Sequence, residues 1–434
     1  MVEIGRLREK NKKEFVKGLL DRTRPDFSEI DLIVKDILQS VEKNGDKAVF
    51  EYTKKFDKVD ITEKNILVER EEIDAAYDKV DIKVIKAIRK AAANIMAFHE
   101  KQVRKSWLST EGGIQLGQKY TPIEIAAVYV PGGTAAYPSS VLMNVIPAKV
   151  AGVKEIYILT PPSREGEINP AVLVAADTVG IDKIYKVGGA QAIAAAAYGT
   201  ESISKADKIT GPGNIFVASA KKNVYGICDI DMIAGPSEIV ILADETANPK
   251  FLAADMMSQA EHDKLASSVL VITDENVAKE TKKEIERQIK YLSRKEIIEQ
   301  SLKNNASIIL VEDMFEAVDM VNTLAPEHLE LCVKNSFEIL EDIKNAGAIF
   351  MGNYSPEPLG DYFAGPNHIL PTSGTARFFS PLGVDDFVKK SSVISYDRES
   401  LMKVAEDIVC FAEEEKLDAH ANSIKVRFEG KEDE

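Results

Sequence analysis

Hydrophobic positions along the chain fall into two regimes. Up to about residue 100 they recur at helical spacing: Ile33, Ile37, Leu38 and Val41 mark one helix face, with Ser28 and Asp31 placed ahead of it as a capping box. A second set, Ile82, Ile85, Ile88, Ala92, Ile95 and Phe98, predicts an amphipathic helix that carries His99 just past its end as a structural or solvated residue. From about 120 the apolar residues gather instead into short continuous runs, at 124–130, 155–160, 183–187, 238–243, 267–272, 307–311 and 347–351, separated by helix-length segments. Strands buried on both faces read as unbroken apolar runs, so this half predicts parallel sheets with crossover helices, an α/β architecture. Beyond about 397 the helical pattern returns in an acidic tail that contains Glu413, Glu414 and Glu415, which by itself reads as a solvated face. No internal repeat interrupts the pattern, and the one sizeable Gly/Pro-rich loop spans 352–371.

Charge narrows the function classes. The chain has 434 residues with 55 Lys+Arg against 70 Asp+Glu, a formal net charge of −15, which excludes an electrostatic nucleic-acid binder. At 45 % hydrophobic and 29 % charged residues, a core can be buried and disorder is not expected. No apolar stretch approaches the roughly 18 to 20 residues of a membrane span, and residues 1–17 carry no apolar secretory core, so the expected location is cytoplasmic. Cys228, Cys332 and Cys410 are odd in number and lack CxxC spacing, against a disulfide framework or thiolate zinc site, and each reads as a buried small apolar residue.

Candidate chemistry sits at the ends of the runs, and in open parallel sheets the carboxyl ends of strands are where it is expected. Three glycine turns, Pro131-Gly132-Gly133, Gly188-Gly189-Ala190-Gln191 and Gly211-Pro212-Gly213-Asn214, are suited to a nearby phosphate, although none matches the GxGxxG dinucleotide fingerprint and each taken alone reads more readily as a tight turn without ligand. Gln259 and His262 are three apart and share a face if helical, a spacing that lets both reach one metal. Asp361 and His368 lie in the 352–371 loop, and His420 in the acidic tail. Glu327 and His328 set a carboxylate beside an imidazole, a pairing suited to proton transfer near neutral pH and also compatible with a helix cap.

Read together and in order, the segments YVPGG (129–133), VGGAQAIAA (187–195), GPGN (211–214), AGPSE (234–238), SQAEH (258–262), APEHLE (325–330), GDYFAGPNHILPT (360–372) and the Ala419-His420 pair resemble the histidinol dehydrogenase family. The resemblance covers roughly 120–425. It implies NAD-dependent four-electron oxidation of L-histidinol to L-histidine through an enzyme-bound histidinaldehyde, the last step of histidine biosynthesis, with two NAD per turnover. It implies one Zn2+ per subunit held by Gln259, His262, Asp361 and His420, positioning the substrate through its imidazole and amino nitrogens. It assigns Glu327 and His328 as the catalytic acid/base pair, Ser237, His368 and Glu415 as further substrate contacts beside Gln259, His262, His328, Asp361 and His420, and Tyr129, Gln191 and Asn214 as cofactor contacts.

The implied fold is a pair of incomplete Rossmann-like units in an aldehyde dehydrogenase-like arrangement, with small helical N- and C-terminal extensions. Residues 1–26 would be the N-terminal extension and 27–128 with 237–381 the main α/β domain carrying the metal and acid/base residues. Residues 129–236 would be an inserted NAD-binding domain, and 382–434 a helical tail reaching the partner subunit of a homodimer, placing His420 and Glu415 in trans. No membrane or nucleic-acid partner is expected.

Overall fold

Alternation within the apolar runs decides how they pack. In the computed structural model, which describes residues 2–6, 16–18, 27–132 and 137–429, the run at 124–130 becomes strand β4 (Ile125–Tyr129). Its Ala126 and Val128 enter one core, and Ala127 and Tyr129 enter another on the opposite face. Strand β9 (Glu238–Ala243) behaves likewise, with Ile239, Ile241 and Ala243 on one side and Val240 and Leu242 on the other. A strand buried on both faces needs apolar residues at every position, which is why the runs are continuous.

These strands centre two all-parallel sheets. The first has the order β6 (Ile184–Lys186), β5 (Glu155–Thr160), β4, β7 (Lys208–Thr210), β8 (Asp229–Ile230). The second has the order β1 (Glu3–Arg6), β11 (Ala306–Leu310), β10 (Ser267–Ile272), β9, β12 (His328–Cys332), β13 (Ala348–Met351). All seven expected runs are strands. Those not anticipated are short, as with β7 and β8, or interrupted by charge: β12 alternates Leu329 and Leu331 with His328 and Glu330, and all four are buried.

Both sheets lie in one compact unit, Met1–Gln102 with Ile123–Phe387; the other unit is Val103–Pro122 with Val388–Glu434. The second unit contains a three-stranded antiparallel sheet, β14 (Val388–Tyr396), β3 (Ile114–Pro122), β2 (Trp107–Glu111), and the helices Arg398–Glu414 and Asp418–Lys425.

Several expectations change. The helices between 28 and 99 share their cores with the five-stranded sheet, and Ile369, from the 237–381 segment, joins one of those cores. The tail from 382 is not wholly helical, because β14 pairs along nine residues with β3. Most of 1–26 lies outside the described residues, as does Gly133, but Glu3–Arg6 forms an edge strand and not a separate extension. Asp31 does not serve a capping box: its carboxylate accepts from Ser219, Lys222 and Asn223, tying the helix Ser28–Asn44 to the helix Ile215–Val224. Val34 takes the buried place expected of Ile33. His99 is fully buried, with Nδ1 2.8 Å from the Ile95 carbonyl, and is structural. Cys228 and Cys332 are buried as expected, but Cys410 is exposed.

Ile241 stands at the centre of β9, fully buried between β10 and β12. Ile241→Ala is expected to cost about 2–5 kcal/mol, read as a lowered midpoint in urea denaturation.

Candidate active site

The chemically distinctive residues meet where β9 and β12 begin. The helix Met314–Leu324 ends at Ala325 in the left-handed conformation (φ 51°), which turns the chain sharply into Pro326-Glu327 and then β12. Parallel pairing anchors that entry: Gly347 N–H donates to the Pro326 carbonyl at 2.9 Å, and Ala348 N–H to the Glu327 carbonyl at 2.9 Å. Residue 347 approaches so closely that a Cβ would lie 2.6 Å from the Glu327 carbonyl oxygen, so only glycine fits without a shift.

Side chains then interlock. Glu238 N–H donates to Glu327 Oε2 at 2.9 Å, and His328 Nδ1 lies 3.1 Å from the Glu238 carbonyl. A carbonyl can only accept, so this bond assigns the proton to Nδ1 and leaves the Nε2 lone pair free. Nε2 is buried without a hydrogen-bond partner among the described residues, 4.0 Å from both Glu357 Oε1 and Asp361 Oδ1.

Glu357 and Asp361 share a face of the short helix Glu357–Tyr362. Its start is held by Glu330, whose Oε1 accepts the Glu357 N–H at 2.8 Å. His262 follows the helix Pro249–Ala260, its Nε2 4.0 Å from Glu357 Oε1, and one ligand atom each of His262, Glu357 and Asp361 lies within 4.8 Å of the others. Gln259, on the last turn of that helix, is fully buried with both amide atoms unpartnered among the described residues. His368 Nδ1 sits 3.0 Å from the Asp361 carbonyl and 3.9 Å from its Oδ1. The imidazole-to-carboxylate separations exceed hydrogen-bond length, so the rings and the carboxyl groups surround a common point without satisfying one another.

Burial dominates the electrostatics. It raises Glu327 well above the carboxylate range, against the pull of the Glu238 amide, and pushes Glu238 up to about 7. Burial, then repulsion from Asp361, takes Glu357 to about 10. Glu330, also far above normal, shares a hydrogen bond with Asp255, itself raised to about 6 by burial. His328 falls to about 4 and His368 also falls, both through burial. Desolvated acids crowded together cannot all ionise unless a positive charge joins them. Buried unpaired donor atoms of imidazole, carboxylate and amide type therefore fit a divalent cation.

The expected residues divide into three groups. Gln259, His262, Glu327, His328, Asp361 and His368 belong to the six-stranded sheet and the segments packed on it, with Ser237 half-buried immediately before β9. This site lies at the amino ends of the strands and not the carboxyl ends, because the helix Pro249–Ala260 runs back along the sheet and delivers His262 to the start of β10. Tyr129, Gln191 and Asn214 do lie at the carboxyl end of the five-stranded sheet, where β4 has its successor β5 on one side and β7 on the other, the arrangement that opens a crevice. There Gly189 N–H donates to the Tyr129 hydroxyl at 3.1 Å, Gln191 is buried with both amide atoms unpartnered, and Asn214 Oδ1 caps the helix Ile215–Val224. Glu415 and His420 are exposed in the second unit, around the helices Arg398–Glu414 and Asp418–Lys425. Sequence reasoning missed Glu238, Glu330 and Glu357; only the spacing of Glu357 four residues before Asp361, one helical turn, was there to find.

Fold and cluster together define an α/β enzyme with a buried neutral imidazole set among acids. A family model described as histidinol dehydrogenase matches residues 20–428. A histidinol dehydrogenase of Clostridium acetobutylicum is 58 % identical over 417 residues, 96 % of each chain. Another, from Caldanaerobacter subterraneus subsp. tengcongensis, is 57 % identical over 408 residues, covering 94 % of this chain and 95 % of the relative. The crystal structure of histidinol dehydrogenase from Elizabethkingia anophelis matches with a TM-score of 0.93 at 40 % identity, covering 98 % of both chains. This chain belongs to the histidinol dehydrogenase family, and is an oxidoreductase of histidine biosynthesis.

The His328 environment has a direct spectroscopic consequence. In metal-free protein, an NMR titration of the histidine rings is expected to give His328 a midpoint near 4, because burial disfavours the imidazolium. A midpoint near 6.5, the value of a free ring, refutes the desolvated assignment.

Proposed function

We propose that this enzyme oxidises L-histidinol through enzyme-held histidinaldehyde to L-histidine with two NAD per turnover, and that the free Nε2 of His328 is the base. That nitrogen, buried, unprotonated and 4.0 Å from the two carboxyl groups of the metal cluster, is the observation that carries the reading. His328 takes the hydroxyl proton of the alcohol as hydride leaves, and the Nδ1–H bond to the Glu238 carbonyl holds the ring in the required tautomer. Glu327, 3.6 Å from the same ring and ionised once a bound cation offsets its burial, takes a proton from the water that adds to the aldehyde, and His328 serves again when the hydrate is oxidised.

Gln259, His262 and Asp361, with His420 of the partner subunit, are the proposed zinc ligands, and Glu357 adds a carboxylate at the same point. Zinc bound there supplies a fixed anchor for the substrate's imidazole and amino nitrogens and the positive charge that the crowded acids require. NAD, proposed to rest against Tyr129, Gln191 and Asn214, supplies the hydride acceptor; the unpartnered Gln191 amide supports this placement. Ser237, His368 and Glu415 complete the substrate contacts.

A homodimer with exchanged tails belongs to the same proposal. The second unit leaves Trp107, Leu108, Ile394 and Phe411 at 55, 54, 71 and 74 % exposure, a large apolar area for a monomer to present to water. Among the described residues no helix is long and apolar enough to cross a membrane, and we place the enzyme in the cytoplasm.

Two NADH formed per histidinol consumed is the expected stoichiometry, and a yield of one ends the account at the aldehyde. In the same assay His328→Asn is expected to lower kcat by roughly 10²–10⁴ with zinc content unchanged; undiminished turnover removes His328 from the chemistry.

Tail exchange is tested separately by mixing Gln259→Ala chains with His420→Ala chains. Sharing in trans leaves one intact site in each mixed dimer and restores activity, whereas sites built within one chain leave every dimer inactive.

A further inference from the structure

Two buried charges outside the residues assigned so far converge on the turn at 211–214. Lys221, on the helix Ile215–Val224, and Asp231, just after β8, form an ion pair with side chains only 3 % and 1 % exposed. Both also grip the backbone of Gly211. Lys221 Nζ donates to its carbonyl at 2.9 Å, and its N–H donates to Asp231 Oδ2 at 2.8 Å. The second oxygen of Asp231 accepts the Met232 N–H at 2.6 Å, which fixes the carboxylate in turn.

What the pair holds is a backbone under unusual constraint. Gly211 has φ +109°, and a Cβ there would lie 2.0 Å from the Tyr129 carbonyl oxygen, so the turn is pressed against the end of β4. Three residues on, Asn214 caps the helix that carries Lys221, its Oδ1 accepting from Phe216 and Val217. The turn, the helix and the ion pair form a closed loop, with Tyr129 and Asn214 held on either side of Gly211.

Stability alone is a poor account of such a pair. Removing two charges from water is costly, and replacing a buried ion pair with apolar residues of similar volume is often neutral or stabilising. Here the charges do something an apolar pair cannot: they hold both the N–H and the C=O of one peptide segment in place.

We propose that Lys221 and Asp231 are positioning residues for the dinucleotide, holding the 211–214 turn against Tyr129 so that Asn214 meets the cofactor in a preformed geometry. The inference rests on the reading that this end of the five-stranded sheet takes NAD. Loss of the pair then weakens cofactor binding and leaves the proton-transfer centre on the other sheet untouched.

The test is the Lys221→Met/Asp231→Leu double variant of the zinc-loaded enzyme, compared with Gln191→Ala. KM for NAD is expected to rise roughly tenfold or more, since small misplacements of a binding group carry large penalties. KM for histidinol, zinc per chain and kcat at saturating NAD are expected to stay within about twofold of wild type, with the thermal midpoint unchanged or raised. An unchanged KM for NAD overturns the proposal, and so does a parallel loss of zinc, histidinol affinity and thermal stability, which marks a merely structural pair. If the double variant does not fold, Asp231→Asn reads the same split, because it removes the charge facing Lys221 and leaves one acceptor oxygen for the two N–H groups of Gly211 and Met232. A raised KM for NAD in Gln191→Ala without one in the ion-pair variants sinks the positioning role alone, and no change in any variant sinks the NAD reading itself.

Discussion

Desolvation of acids is the constraint on which the candidate site depends. Glu238, Glu327, Glu330 and Glu357 are all buried around the beginnings of β9 and β12, with Asp361 and three imidazoles beside them. Carboxyl groups in such a place remain protonated or find a positive charge. The backbone meets part of the need, since the amides of Glu238 and Glu357 each donate to a buried glutamate. The rest is left open at the point that His262, Glu357 and Asp361 surround, and that deficit is what makes a cation there chemically reasonable.

The two sheets place their polar clusters by opposite use of the same architecture. On the five-stranded sheet the crevice opens at the carboxyl ends, where β5 and β7 flank β4 and helix starts follow the strands. On the six-stranded sheet the reactive groups stand at the amino ends, delivered by Ala325's reversal and by the returning helix Pro249–Ala260. One cluster thus rests on strand beginnings with fixed backbone, and the other on helix starts that follow strand ends. Both share a tactic. Glycine at 347 and at 211 admits a carbonyl to within a distance that a Cβ forbids, and side-chain charges or strand pairing lock the contact.

Much of the larger unit was legible because its strands are buried on both faces: seven apolar runs gave seven strands with boundaries close to those expected. The antiparallel sheet of the second unit was not legible. Its strands are largely exposed and mix polar with apolar residues, as in Val388–Tyr396, so neither a continuous run nor a clean alternation marks them. β12 was hidden for another reason, because buried glutamate and histidine occupy positions where a strand is expected to be apolar.

What the chain determined by itself was local: the apolar runs, the glycine turns, the adjacency of Glu327 and His328, the spacing of Gln259 and His262, and the ordered segments that mark the family. Tertiary structure alone decided which sheet the helices between 28 and 99 cover, that the Glu327–His328 cluster stands at strand beginnings, and that Glu238, Glu330 and Glu357 join it. The reason is that burial, and the unpaired atoms it leaves, arises from residues far apart in the chain meeting at one point, as His262 and Asp361 do with His328 between them in sequence. No periodicity within a single segment encodes that meeting.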